Sequence, residues 1–72
     1  MRIRQQKRWA EGYLAGIARA HRRGNVTARA VVGAVAMAML RGLDRTTVEE
    51  VLAVHGLAWD EQASQVRRVG ES

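Results

Sequence analysis

Few side chains in this chain are of a type that does covalent or metal chemistry, and their spacing does not assemble them. The two histidines, His21 and His55, share no ligand pattern, and cysteine is absent. Neither a thiolate metal site nor a disulfide is therefore available. Ser64 and Ser72 have no base at a useful spacing, and Glu49 and Glu50 sit where a starting helix uses acids. The chain has no phosphate-cradling glycine loop, no dinucleotide fingerprint and no nucleophile elbow. These residues predict no enzyme, no cofactor, no metal and no small-molecule substrate.

The chemistry on offer is cationic. Of 72 residues, 12 are Lys or Arg against 7 acids, a formal charge of +5. Their distribution is lopsided. Arg2, Arg4, Lys7, Arg8, Arg19, Arg22, Arg23 and Arg29 face the single acid Glu11 in residues 1–29, whereas residues 30–72 are mildly acidic. Such asymmetry points to an anionic partner, nucleic acid first. Arg4, Arg8, Arg19, Arg22 and Arg23 would run along about 30 Å of a first helix, enough to follow a phosphate backbone. Arg68 adds a cation near the C-terminus. The same arginines also suit an ordinary solvated helix face.

The elements that must position these groups are helical. Proline is absent, which removes the strongest helix breaker. Residues 30–40 read AVVGAVAMAML without a polar side chain, so this segment should be a buried central helix covered on more than one face. Its second face falls either to the C-terminal helices or to another copy of the chain. Residues 2–23 form an amphipathic helix with Ile3, Trp9, Ala10, Tyr13, Leu14, Ile17 and Ala20 in one broad apolar stripe. Arg23-Gly24 ends it, Asn25 or Thr27 caps the central helix, and the short connection forces an antiparallel hairpin. Thr46 and Glu49 have capping-box spacing for a third helix to about His55. Asp60 starts a fourth, with Ala63, Val66 and Val69 turned inward.

The expected fold is thus all-α: a single-domain bundle with a long helical hairpin (2–23 and 27–41) and two short helices (46–55 and 59–69). A domain of this size has a barely adequate core, and no staple is available, so a homodimer is expected. Dimer contact or close helix packing is expected at Gly12 and Gly16 on the first helix and at Ala30, Gly33, Ala34 and Met37 on the central one. Two small-residue ridges, Gly12, Gly16 and Ala20 on the first helix and Ala30, Ala34, Ala38 and Gly42 on the central one, could face each other. The apolar run is about half of what spans a bilayer and is flanked by Arg29 and Arg41, so no membrane segment is expected. With no apolar signal region after the charged start, a cytoplasmic location is expected.

Two readings of function follow. In the first, this is a small basic regulator that binds nucleic acid, DNA ahead of RNA, through the first helix or the last helix pair. The last pair, with Gly56 between its helices, invites a helix-turn-helix reading in which Gln62, Ser64, Gln65 and Arg68 meet base edges. The acids Asp60 and Glu61 at the start of the reading helix argue for a plain helical hairpin instead. In the second, it is an accessory protein of the phage or mobile-element type that binds and inhibits a host protein such as a transcription regulator. Trp9 and Tyr13, one turn apart beside arginines, would then enter an acidic groove of that protein.

Overall fold

The computed structural model describes residues 3–70, with side chains described from residue 6. Three helices come first: α1 (Ile3–Arg22), α2 (Ala28–Leu40) and α3 (Arg45–Val54). Two strands follow, β1 (Leu57–Asp60) and β2 (Gln65–Arg68), paired antiparallel with Leu57 opposite Arg68 and Trp59 opposite Val66. The chain is therefore not all-α, and the expected fourth helix over 59–69 does not form.

The reason lies in which periodicity buries more. Leu57 is fully buried and Trp59 and Val66 are half-buried, while Ala58, Gln65 and Arg67 stand exposed. That alternation has the period of a strand. A helix would have turned Ala63 and Val69 inward, yet Ala63 is exposed and Val69 is 61% exposed. Asp60 caps the hairpin loop, accepting the Ala63 N–H on Oδ1 at 3.2 Å, and Ser64 takes a left-handed φ of 51° to close it. Aspartate and serine suit such turns as well as they suit helix starts. With no fourth helix there is no helix-turn-helix, and Gln62, Ser64, Gln65 and Arg68 lie on the hairpin instead.

Two helix ends share one motif. After α1 the Asn25 N–H reaches Ala20 O and the Gly24 N–H reaches His21 O. After α2 the Leu43 N–H reaches Ala38 O and the Gly42 N–H reaches Met39 O. Both glycines are left-handed, with φ +81° and +103°, as this closure requires. It also drives the residue after the glycine back toward the helix, and Leu43 is buried. Thr27 caps α2, accepting the Ala30 N–H at 3.3 Å. The cap of α3 is Asp44, which accepts the Thr47 N–H at 2.9 Å. The expected Thr46–Glu49 capping box is absent. Thr46 already lies inside the helix, and Glu49 turns to Arg45 at 3.3 Å.

The core is wholly apolar and thin. Leu14, Leu52, Leu57, Val31, Val35 and Val48 are its largest fully buried side chains, and Ala10, Ala18, Ala34 and Ala38 fill the rest of the α1–α2 contact. Close packing of the hairpin thus uses Ala10 and Ala18 on α1 in place of the expected Gly12 and Gly16, whereas on α2 it uses Ala34, which was expected there, together with Ala38. A side-chain carbon added at Gly12, Gly16 or Gly33 would meet nothing within 4 Å. Ala30 and Gly33 are exposed, and Met37 is half-exposed. The central helix is not dry all round. Val31, Ala34, Val35 and Ala38 are buried, and its opposite side is open along its length, ending in Leu40 at 88% exposure. The molecule is a slab of 41 × 25 × 18 Å.

Candidate functional site

Two surfaces stand out, one charged and one apolar. The charged one is the end of the slab where α1 stops and α2 starts. Arg19, Arg22 and Arg23 leave the last turn of α1 and its cap, and Arg29 leaves the first turn of α2; all four are exposed. The loop between them is tied down by His21, whose Nδ1–H donates to Val26 O at 3.0 Å. Only a donor can satisfy a carbonyl, which fixes that ring nitrogen as protonated. The Arg22 guanidinium lies across Gly56, 3.6 Å from where that residue's first side-chain carbon would stand. Strand β2 ends close by, since the Val69 N–H reaches Gly56 O at 2.8 Å, and this brings the Arg68 position to the same end.

Carboxylates gather elsewhere. Asp44 and Glu49 lie at and near the start of α3, and Asp60 and Glu61 at the tip of the β-hairpin. There Arg45 pairs with Glu49 and Glu61, and Arg67 pairs with Asp60 at 2.6 Å. In the cleft lined by Arg45, Glu49, Asp60, Glu61 and Arg67 both arginines are therefore already engaged by the neighbouring carboxylates. Thr47 hydrogen bonds, from its side chain and then its backbone, hold the Asp44 carboxyl below its ordinary value of 3.8, with Lys7 assisting by charge. Among the described residues, Arg8, Arg19, Arg22, Arg23 and Arg29 make no ion pair. The positive charge of Arg8, Arg19, Arg22 and Arg23 is thus not engaged in an ion pair among the described residues.

The expected arginine stripe is divided. Arg8 stands eleven positions before Arg19, about 16 Å along the helix, and borders a shallow hollow with Glu11, Val54 and His55. The side chain of Arg4 lies outside the described residues. Arg29, which sequence reasoning left out of the site, stands at the same end of the α1–α2 hairpin, where it borders a hollow with Val32, Ser64 and Val66. The first turn of α2 contains no acid, so its partial positive charge adds to that of the arginines.

The second surface runs along the outer side of the α1–α2 hairpin. Trp9 is 54% exposed and Tyr13 43% exposed, their rings stacked in parallel with centroids 5.5 Å apart. The Arg41 guanidinium covers Trp9 at 4.8 Å and donates from Nε to Met37 Sδ at 3.1 Å. Neither aromatic enters the core, contrary to the single broad stripe expected for the first helix. Beyond them the surface continues over Gly16 and Ala20 on α1, and over Leu40, Met37, Gly33 and Ala30 on α2. A usable signal was present in the sequence. Residues 9, 13, 16 and 20 and residues 30, 33, 37 and 40 each repeat at alternating three- and four-residue steps, a second stripe on each helix beside the core one.

Among the described residues no group of three or more metal-ligating side chains comes together, and no helix is long and apolar enough to cross a membrane. No protein-family model, curated protein or solved structure matches the chain.

Proposed function

We propose that this protein binds the phosphate backbone of duplex DNA with the basic end of its helical hairpin, and acts as a small nucleic-acid-associated regulator. The observation that supports this reading is the convergence of Arg19, Arg22, Arg23 and Arg29, all exposed and none paired to a carboxylate among the described residues, around a loop held by His21. Arginine presents a planar fork of donors that matches phosphate oxygens and needs no base contact to bind. Recognition of this kind is independent of sequence and depends on counterion release.

The basic end carries no element of the size and exposure that enters a major groove, since its helices present a terminus and a loop. Backbone contact, not base reading, is the chemistry proposed. Fluorescence anisotropy with a labelled duplex tests it: replacing Arg19, Arg22 and Arg23 together by alanine is expected to weaken binding severely. Unchanged binding by that variant would remove the proposal.

A further inference from the structure

We infer that the outer face of the α1–α2 hairpin is an interface with a second copy of this chain, joined about a two-fold axis that runs across the helices. Three observations carry this. The first is exposure. Trp9, Tyr13 and Leu40 are 54%, 43% and 88% exposed, on helices whose other sides carry the core.

The second is composition. Trp9, Tyr13, Met37 and Leu40 give this face its large apolar groups, and Arg41 covers Trp9 at 4.8 Å. Leu40 at 88% exposure has no role in the monomer's own core.

The third is shape. The face is graded: Trp9, Tyr13, Met37 and Leu40 occupy one end, and Gly16, Ala20, Ala30 and Gly33 the other. A two-fold axis across the helices lays each helix antiparallel on its own copy. Trp9 then comes opposite Ala20, Tyr13 opposite Gly16, Met37 opposite Gly33 and Leu40 opposite Ala30. Bulk meets hollow at every level, as an isologous interface requires. The arrangement also explains two glycines that each weaken a helix by about 1 kcal/mol. Nothing in the monomer needs them, since a side-chain carbon at Gly16 or Gly33 would meet open space. The two basic ends fall at opposite poles of the pair.

Sedimentation velocity of the full chain tests this. The wild type is expected at twice 8.0 kDa. Two variants probe opposite ends of the face, Leu40→Gln and Gly33→Leu. Both change exposed positions, so helical circular dichroism should be retained. Each substitution occurs twice in an isologous pair, and each is expected to weaken dimerisation by about a hundredfold or more. Rising salt should leave the dimer unchanged or tighten it, because the rims of both copies are arginine-rich. That is opposite to phosphate binding, and Leu40 lies at the far end from Arg19, Arg22 and Arg23, so the two readings can fail separately. A wild-type chain that stays at 8.0 kDa up to about 100 μM, or a dimer indifferent to both variants, would overturn the inference.

Discussion

The salt dependence of DNA binding puts the basic end under quantitative strain. Four exposed arginines converge there, Arg19, Arg22, Arg23 and Arg29, with no carboxylate of the molecule engaged to them among the described residues. Each is taken to neutralise one phosphate and release its condensed counterion, so the logarithm of the affinity should fall against the logarithm of salt with a slope of about −3.6. Between about 50 and 200 mM salt that slope amounts to a loss of about 150-fold. Alanine at Arg19, Arg22 and Arg23 leaves one of the four, and the same salt change should then cost only about 3.5-fold on much weaker binding. Arg45→Ala serves as the control, because its guanidinium is already engaged by Glu49 and Glu61; the slope should barely move. Anisotropy titrations on two unrelated duplexes at several salt concentrations measure all of this, with circular dichroism to show that each variant is folded. A wild-type slope shallower than about −1, or a triple variant with the wild-type slope, would refute the reasoning.

Other expected outcomes concern the fold that holds these surfaces. Gly42→Ala forces a side chain into φ +103° and places its carbon 3.0 Å from Lys7 Cε; a loss of about 1 kcal/mol or more should lower Tm by about 4–8 °C. Gly12→Ala meets open space and should raise Tm by a comparable amount through helix propensity alone, about 1 kcal/mol. Leu52→Ala empties a fully buried site. At about 2–5 kcal/mol, against a total of about 3–5 kcal/mol for a core of this size, the variant should be largely unfolded in a urea titration. Asp44 is held below 3.8 by Thr47, so its depressed pKa contributes stability above that pH which is lost as the pH falls through the lower folded value. The Tm advantage of wild type over Asp44→Asn should therefore shrink on acidification below 3.8, and a growing advantage would contradict the assigned hydrogen bonds.

The two long helices were legible because each carries its own punctuation. Arg23-Gly24 and Arg41-Gly42 supply the left-handed residue that ends a helix, and Thr27 supplies a cap, all within a few positions of the segment they bound. The C-terminal hairpin was not legible. Residues 57–68 offer only Leu57, Trp59 and Val66 as large apolar groups that end up at least half-buried. Three such positions fit a helical or an extended period about equally well over so short a stretch. The cap of α3 was misplaced for a similar reason: Asp44 and Thr46 both have the chemistry of a cap, and the choice between them depends on where the chain arrives from Gly42.

What the amino-acid sequence determined by itself was the charge imbalance, the absence of cysteine and proline, and the helical character of the first forty residues. These depend on composition and on contacts within a few residues, which need no fold to be counted. Tertiary structure decided everything that depends on which side of an element is covered. It sent Trp9 and Tyr13 outward, left half of α2 open, put Arg29 at the same end of the hairpin as Arg22 and Arg23, and matched Arg45 and Arg67 to the local acids. An apolar stripe on a helix states only that something must cover it. Whether that is the same chain or another is settled by how much apolar surface the remaining elements can supply, and a four-residue strand pair covers less of α2 than a helix would have done.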